Sequence, residues 1–126
     1  MLPVKNYEIY QDGQIIFEEG SFGDTLYIID SGSVELSKKI EEKSIIIENL
    51  EQGYIFGEVA FIARIPRTAT ARAKGETTIG IIDPDYLDNE INKLSEHFQT
   101  IIQTLALRLQ KTTDALAKMK IDKTHS

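Results

Sequence analysis

Hydrophobic and polar positions divide the chain into two parts: short β-rich runs punctuated by turn residues as far as Ile82, and a helical signature from Asp83 onward. A short strand starts within Tyr7-Glu8-Ile9-Tyr10, and Gln14-Ile15-Ile16-Phe17-Glu18 forms a second between the Asp12-Gly13 and Glu19-Gly20 turn signals. Phe22-Gly23-Asp24 turns the chain again. Thr25–Asp30 and Ser33–Ser37, separated by Ser31-Gly32, predict a hairpin with period-two alternation in its second strand. Lys38–Lys43 mixes both charge signs and reads as a solvated hairpin tip. Ser44–Leu50 is rich in β-branched residues and predicts a further strand. Thr68–Ala73 alternates, and Thr77–Ile82, entered from a Lys74-Gly75 turn, is the last strand. Many short strands at roughly 8–12-residue spacing predict an antiparallel sandwich or barrel.

At Asp83-Pro84 the signature changes, because Asp83 suits a helix N-cap and Pro84 its first position, so a short helix through Leu87 follows. From Ser95 to about Met119 runs a long helical segment free of Gly and Pro. Phe98, Ile102, Leu105, Leu109, Thr112, Leu116 and Met119 follow one line along it in alternating steps of four and three. That is the repeat of about 3.5 residues that makes a coiled-coil seam. A seam wants a partner, and self-pairing of helix 95–119 in a parallel homodimer is the expectation, with packing of the whole line against the chain's own β-strands the alternative. Residues 121–126 read as a polar tail.

Composition narrows the chemistry. The chain has 126 residues, 41% of them hydrophobic, which suffices for one core and leaves no room for a second folded domain. A net charge of −6 argues against a nucleic-acid-binding face. There is no cysteine, which excludes disulfides and thiol catalysis. No apolar run approaches the ~20 residues that cross a bilayer, and no signal peptide is visible, so the expectation is a soluble cytoplasmic protein with no membrane partner. Only His97 and His125 are available as imidazole ligands, so neither a metal site nor a nucleophile–base pair can be assembled, and an enzyme is not expected. No cofactor is implied.

The candidate site lies between Gly53 and Ala73. Phe56-Gly57 ends an apolar strand-like run, and Glu58-Val59-Ala60-Phe61-Ile62 has room for little more than one helical turn before Pro66. The first amides of a helix lack internal partners and carry partial positive charge, so an anion is their natural ligand. Gly57 lets it approach the backbone. Arg67, pre-set by Pro66, can grip a phosphate bidentately. A carboxylate, an arginine and a nest of amides are together what a ribose cyclic phosphate needs.

Phe56-Gly57-Glu58-Val59-Ala60 followed by Pro66-Arg67-Thr68-Ala69-Thr70 resembles the phosphate-binding cassette of the cyclic-nucleotide-binding domain family. The resemblance implies that Glu58 holds the ribose 2′-hydroxyl, that Arg67 holds the cyclic phosphate, and that Phe56, Gly57, Val59, Ala60, Thr68 and Ala69 complete the ligand-binding segment. Gly23, Asp24, Tyr27, Ile29, Gly32 and Val34 also meet the family's strand pattern G-D-x-x-Y-x-I-x-x-G-x-V. The implied fold is mainly β with flanking helices: an antiparallel β-roll, that is a jelly-roll-like double-stranded β-helix, followed by a long C-terminal dimerisation helix. Residues 1–126 then form one domain, with the roll over 1–82, the cassette over 53–73, helices over 83–120 and the tail beyond.

Arg108–Thr113 resembles the dimer helix of the catabolite activator branch, where a Thr-Ser pair reaches the nucleotide base. By that resemblance Thr112 and Thr113 contact the purine, while on the residues alone Thr112 reads equally as a polar seam position that fixes register. Thr68 resembles the threonine used by cyclic-GMP-binding relatives. The Thr112-Thr113 match points to cyclic AMP, with cyclic GMP the second choice. The helix-turn-helix of that branch has no counterpart before Ser126. The implied function is a cyclic-nucleotide-sensing regulatory module acting on an output protein that the sequence does not identify. The alternatives are an interaction module of the same fold that no longer binds nucleotide, against which the intact Glu58 and Arg67 weigh, or a fragment of a transcription regulator.

Overall fold

A computed structural model describes residues 2–125, with side chains from Leu2 as far as Asp122. The chain runs β1 (Val4–Tyr10), β2 (Ile15–Phe17), β3 (Tyr27–Ile40), β4 (Lys43–Glu51), β5 (Ile55–Phe56), α1 (Glu58–Ala63), β6 (Thr70–Ile82), α2 (Pro84–Asn92) and α3 (Glu96–His125). All strand pairs are antiparallel. The spine is the pairing of the two longest strands, β3 and β6, from Tyr27 opposite Ile81 to Ser37 opposite Thr70, with register shifts around Ser31. On one side of that break β1 and β5 extend the pair, and on the other β2 and β4 do. The two halves face each other: Ile29, Ile79 and Phe56 from one pack with Val34, Leu50 and Ala71 from the other in a single buried cluster. This is the expected β-roll.

The expected hairpin at Ser31-Gly32 is not there. Those residues lie within one continuous strand, and so does the expected turn at Lys74-Gly75. Both glycines have positive φ, +89° and +75°, and they bend the strands without ending them. Thr77, fully buried, holds the bend by donating from Oγ1 to the Ser33 carbonyl (3.0 Å) and accepting from the Ser33 amide (3.3 Å). A turn signal and a bend signal are the same residue type, and only the partner strand opposite decides between them.

The hairpin tip is real, with Glu41 and Glu42 both at positive φ between β3 and β4, but Lys38 is not solvated. It is 8% exposed, with its ammonium turned into the molecule.

Asp83 caps α2 as expected, its Oδ1 accepting from the Asp85 amide at 3.0 Å, and Pro84 sits in the first turn. The helix runs past Leu87 to Asn92. Leu26, Phe61, Ile82 and Leu87 form a second cluster that fixes α1 and α2 to the end of the roll. Ser95 Oγ accepts from the Phe98 amide at 3.2 Å and opens α3, while Gln99 secures the corner by donating to the carbonyls of Ile91 and Leu94.

The α3 helix does not stop at a polar tail beginning at residue 121; it continues to His125, and Ile121 is buried. The side chain of His125 and all of Ser126 lie outside the described residues. The face of α3 that lies on the roll is marked by Ala106, Ala117 and Ile121, whose two alanines let the helix approach closely. Among the described residues no helix is long and apolar enough to cross a membrane.

A Cβ at Gly32 would stand 2.5 Å from Thr77 Oγ1 and 2.6 Å from the Glu76 carbonyl oxygen, at a φ that L-residues rarely adopt. Gly32→Ala is expected to cost at least about 2 kcal/mol, lowering Tm by roughly 6–10 °C in a thermal melt. An unchanged melt would mean that the bend is not fixed by this contact.

Candidate functional site

The site is built around a buried cation. Arg67, 4% exposed, enters the roll from the segment between α1 and β6, and its guanidinium donates from Nη1 to the Gly57 carbonyl (3.1 Å) and from Nη2 to the Thr25 carbonyl (2.9 Å). Its own backbone is pinned too, with its amide on Ser21 O at 2.9 Å and its carbonyl accepting from the Gly20 amide at 2.7 Å. The guanidinium carbon sits 4.3 Å from the centroid of the Phe17 ring and 5.7 Å from that of Tyr27. Phe56 completes this platform from behind, its ring 5.1 Å from Tyr27 and 5.9 Å from Phe17.

Burial pulls the Arg67 pKa down, while Tyr27, Asp24 and Glu58 hold it up. An arginine starts so high that the group stays charged at physiological pH. Two of its five N–H donors go to the Gly57 and Thr25 carbonyls, and Tyr27 also shares a side-chain hydrogen bond with it. A guanidinium keeps further donors in its planar fork for an anion.

Gly57 makes this contact possible. It sits at the N-cap of α1 with φ +87°, and a Cβ there would stand 2.8 Å from Arg67 Nη1 and 2.9 Å from the Thr25 carbonyl oxygen. The first intrahelical bond of α1 comes from the Phe61 amide, so the amides of Glu58, Val59 and Ala60 precede it without helical partners.

Glu58 occupies the first turn, half-buried. Burial pushes its carboxyl above the usual range and the nearby Glu48 adds to this, whereas a backbone hydrogen bond and the Arg67 charge oppose it.

A cavity opens beside these groups. Gly57 through Ala60 and Arg67 through Ala69 form one wall, Phe17 and Leu36 the floor, and Ile47 with Glu48 the edge on β4. Leu109, Gln110 and Thr113 of α3 close it from above.

Of the ten site residues expected from sequence, the eight from Gly57 to Ala60, Arg67 to Ala69 and Thr113 thus meet around one cavity. Phe56 is in the core behind it, and Thr112 is exposed and outside the lining. Sequence reasoning passed over Phe17, Glu48 and Gln110. For Gln110 there was a signal, since it falls one turn before Thr113 and one turn after Ala106 on the face that packs against the roll. Phe17 and Glu48 come from distant strands and carry none.

The family model for the cyclic nucleotide-binding domain matches residues 7–93, which takes in the roll from the middle of β1 onward, the whole 57–69 segment and α2. The chain belongs to the cyclic nucleotide-binding domain family. It is 32% identical over 92 residues to a cAMP-dependent protein kinase regulatory subunit of Yarrowia lipolytica, covering 73% of this chain and 24% of that protein. It is 31% identical over 108 residues to a CRP-like cAMP-activated global transcriptional regulator of Mycobacterium tuberculosis, covering 85% of this chain and 48% of that protein. It therefore spans between about a quarter and a half of these relatives' length. Among solved structures, the cAMP-bound form of the EAL enzyme Bd1971 superposes with a TM-score of 0.80 at 28% identity, over 94% of this chain and 32% of that one. Such an overlap extends beyond the family match into α3.

Because the folded Glu58 carboxyl titrates above its unfolded value, the unfolded chain loses its proton first. Stability therefore falls as pH rises from the ordinary carboxyl pKa of about 4.3 to the raised folded value, and the cost is absent below that window. Glu58→Gln should raise Tm at pH 7 in the free protein, with the gain shrinking to nothing at about pH 4. A gain that persists in acid, or a loss at pH 7, would contradict the burial argument.

Proposed function

We propose that this chain is a cyclic-nucleotide-sensing regulatory module that binds without catalysis and relays binding through α3. What carries the reading is the buried Arg67 guanidinium, anchored on the Gly57 and Thr25 carbonyls beside the first-turn amides of α1, which have no helical partners. A cyclic phosphate is a singly charged anion that such a cradle fits. Glu58, next to it and half-buried, is an acceptor for the ribose 2′-hydroxyl, which would repay the carboxylate for lost solvent. The base then lies toward α3, under Leu109, Gln110 and Thr113.

Cyclic AMP is the first ligand on this reading and cyclic GMP the second. Thr113 on the cavity supports the resemblance to the catabolite activator helix, and Thr112 serves as the polar seam residue. The cytoplasm is the compartment for such a module, and its output partner is a protein rather than a nucleic acid.

We also assign the α3 seam to a homodimer. Phe98, Leu105, Leu109, Leu116 and Met119 are 42–60% exposed along one line, while the opposite face of the helix packs on the roll. A two-fold axis would bury the same residues from both copies. Leu109 belongs to both the seam and the cavity, so assembly and ligand would share a residue.

Calorimetric titration with cyclic AMP and cyclic GMP tests the central claim, and a wild type that binds neither favours the interaction-module alternative. Arg67→Lys replaces a planar two-pronged donor with a point charge and should lose about 1.5–3 kcal/mol of binding. It should also lower Tm, because the guanidinium holds the protein together. If Glu58 takes the 2′-hydroxyl, 2′-deoxy cyclic AMP binds wild type more weakly but loses little further in Glu58→Gln, whereas additive losses would remove Glu58 from that role.

For the dimer, sedimentation of wild type at micromolar concentration should show two copies and Leu105→Asp one, with little change in the roll because Leu105 is 58% exposed within the protomer. A monomeric wild type sinks the seam.

A further inference from the structure

Lys38 is the one buried lysine among the described residues, and the site as described makes no use of it. Its ammonium meets oxygens from three separate parts of the chain. Glu19 Oε2 is 3.3 Å away and Asp114 Oδ1 2.8 Å, and the Thr68 carbonyl accepts a hydrogen bond from it. Each of these partners adjoins a wall of the cavity. Thr68 is itself in the lining, Asp114 follows Thr113, and Glu19 lies two residues beyond Phe17.

Glu19 is in turn fixed, its Oε1 accepting from the Lys39 amide at 2.9 Å and its own amide donating to Thr70 Oγ1 at 3.0 Å. One hydrogen bond, to the Thr68 carbonyl, and two ion pairs, to Glu19 and Asp114, thus answer this ammonium. Asp114 Oδ1 is buried and has no aligned hydrogen bond, so the Lys38 charge is what compensates it.

We infer that Lys38 is a positioning residue: it locks α3 to the phosphate segment at Thr68, so that the α3 wall over the base and the Arg67–Thr68 wall over the phosphate move as one. This rests on the nucleotide-binding reading above for its ligand, though not for its geometry. A second tie between an α3 side chain and the strands, Lys120 to the Ile46 carbonyl at 2.9 Å, is exposed, and neither residue lines the cavity. The Lys38–Asp114 pair is part-buried and joins α3 to the segment that would hold the anion. Deleting the Lys38 charge leaves the buried Asp114 oxygen uncompensated, and deleting the Asp114 charge leaves Lys38 to Glu19 and Thr68 alone; either way the tie to α3 is cut, so α3 loosens at its middle while the roll persists.

Two variants and two measurements test this. Lys38→Met keeps the stem and removes the charge; Asp114→Asn keeps the shape and, with its side chain 40% exposed, leaves the fold standing should Lys38→Met fail to fold. The first measurement uses no ligand: amide hydrogen exchange over 106–121 should be about tenfold faster in both variants with the β3 and β6 amides unchanged. Exchange equal to wild type overturns the proposal.

The second titrates cyclic AMP and base-free ribose 3′,5′-cyclic phosphate, taking the ratio of the two affinities as the contribution of the base. That ratio should fall roughly 5- to 50-fold in each variant, within the usual range of coupling between sites, while the base-free probe changes less than about 3-fold. The double variant should be no weaker than either single one, because both break one pair. Lys38→Arg, which restores the charge, should recover most of the ratio.

A ratio left unchanged, or equal weakening of both probes, overturns the coupling role and leaves Lys38 acting on Thr68 alone. If wild type binds neither probe, the nucleotide reading falls, and the exchange measurement by itself decides whether Lys38 positions α3.

Discussion

A guanidinium can be buried only if its charge and its donors are answered, and the arrangement that answers Arg67 fixes much of this molecule. Two carbonyls meet its nitrogens from Thr25 and Gly57, and two aromatic rings lie under its plane. Each demand constrains something else. At the positive φ of Gly57 a Cβ would run into Arg67 Nη1 and the Thr25 carbonyl, which excludes a side chain there, and the platform needs Phe17 from β2, Tyr27 from β3 and Phe56 from β5 to converge. The cation that would meet a ligand is also the one that ties the start of α1 to the loop before β3. Core and site are not separable here.

This has an energetic consequence. Because the two carbonyls and the aromatic platform fix the guanidinium before any ligand arrives, little ordering of this side chain is left to do at the moment of binding. Glu58 stands in the opposite condition. Its carboxylate is partly desolvated, a backbone hydrogen bond and the Arg67 charge offset that only in part, and its ionised form is held at a cost. A preorganised cation beside an under-satisfied carboxylate favours a ligand that offers both an anion and a hydroxyl, which is the combination found in a ribose cyclic phosphate.

The third wall has a different character. The roll contributes strands whose pairing is fixed along their length, whereas α3 is held over the cavity by alanine contacts, the Lys38 ion pair and the Gln99 corner. One of its faces is committed to the roll and the other exposes a line of leucines, phenylalanine and methionine. A helix with two such faces can answer to both a ligand and a second copy, and Leu109 is the residue at which the two meet.

The sequence by itself determined the local chemistry: the Gly57-Glu58 helix start, Arg67 after Pro66, the Asp83-Pro84 cap, and the 3.5-residue apolar repeat along α3. These depend on neighbours a few residues away, where spacing along the chain is also spacing in space. Whether Gly32 and Gly75 turn a strand or bend it was decided by the partner strand across the sheet. That Lys38 is buried follows from Glu19, Thr68 and Asp114 arriving from three distant segments, so nothing in its charged surroundings along the chain distinguishes it from Lys39. The same holds for the choice between Thr112 and Thr113. They are neighbours in sequence, about 100° apart around the helix axis, and only the docking of α3 on the roll turns one to the cavity and the other to the outside.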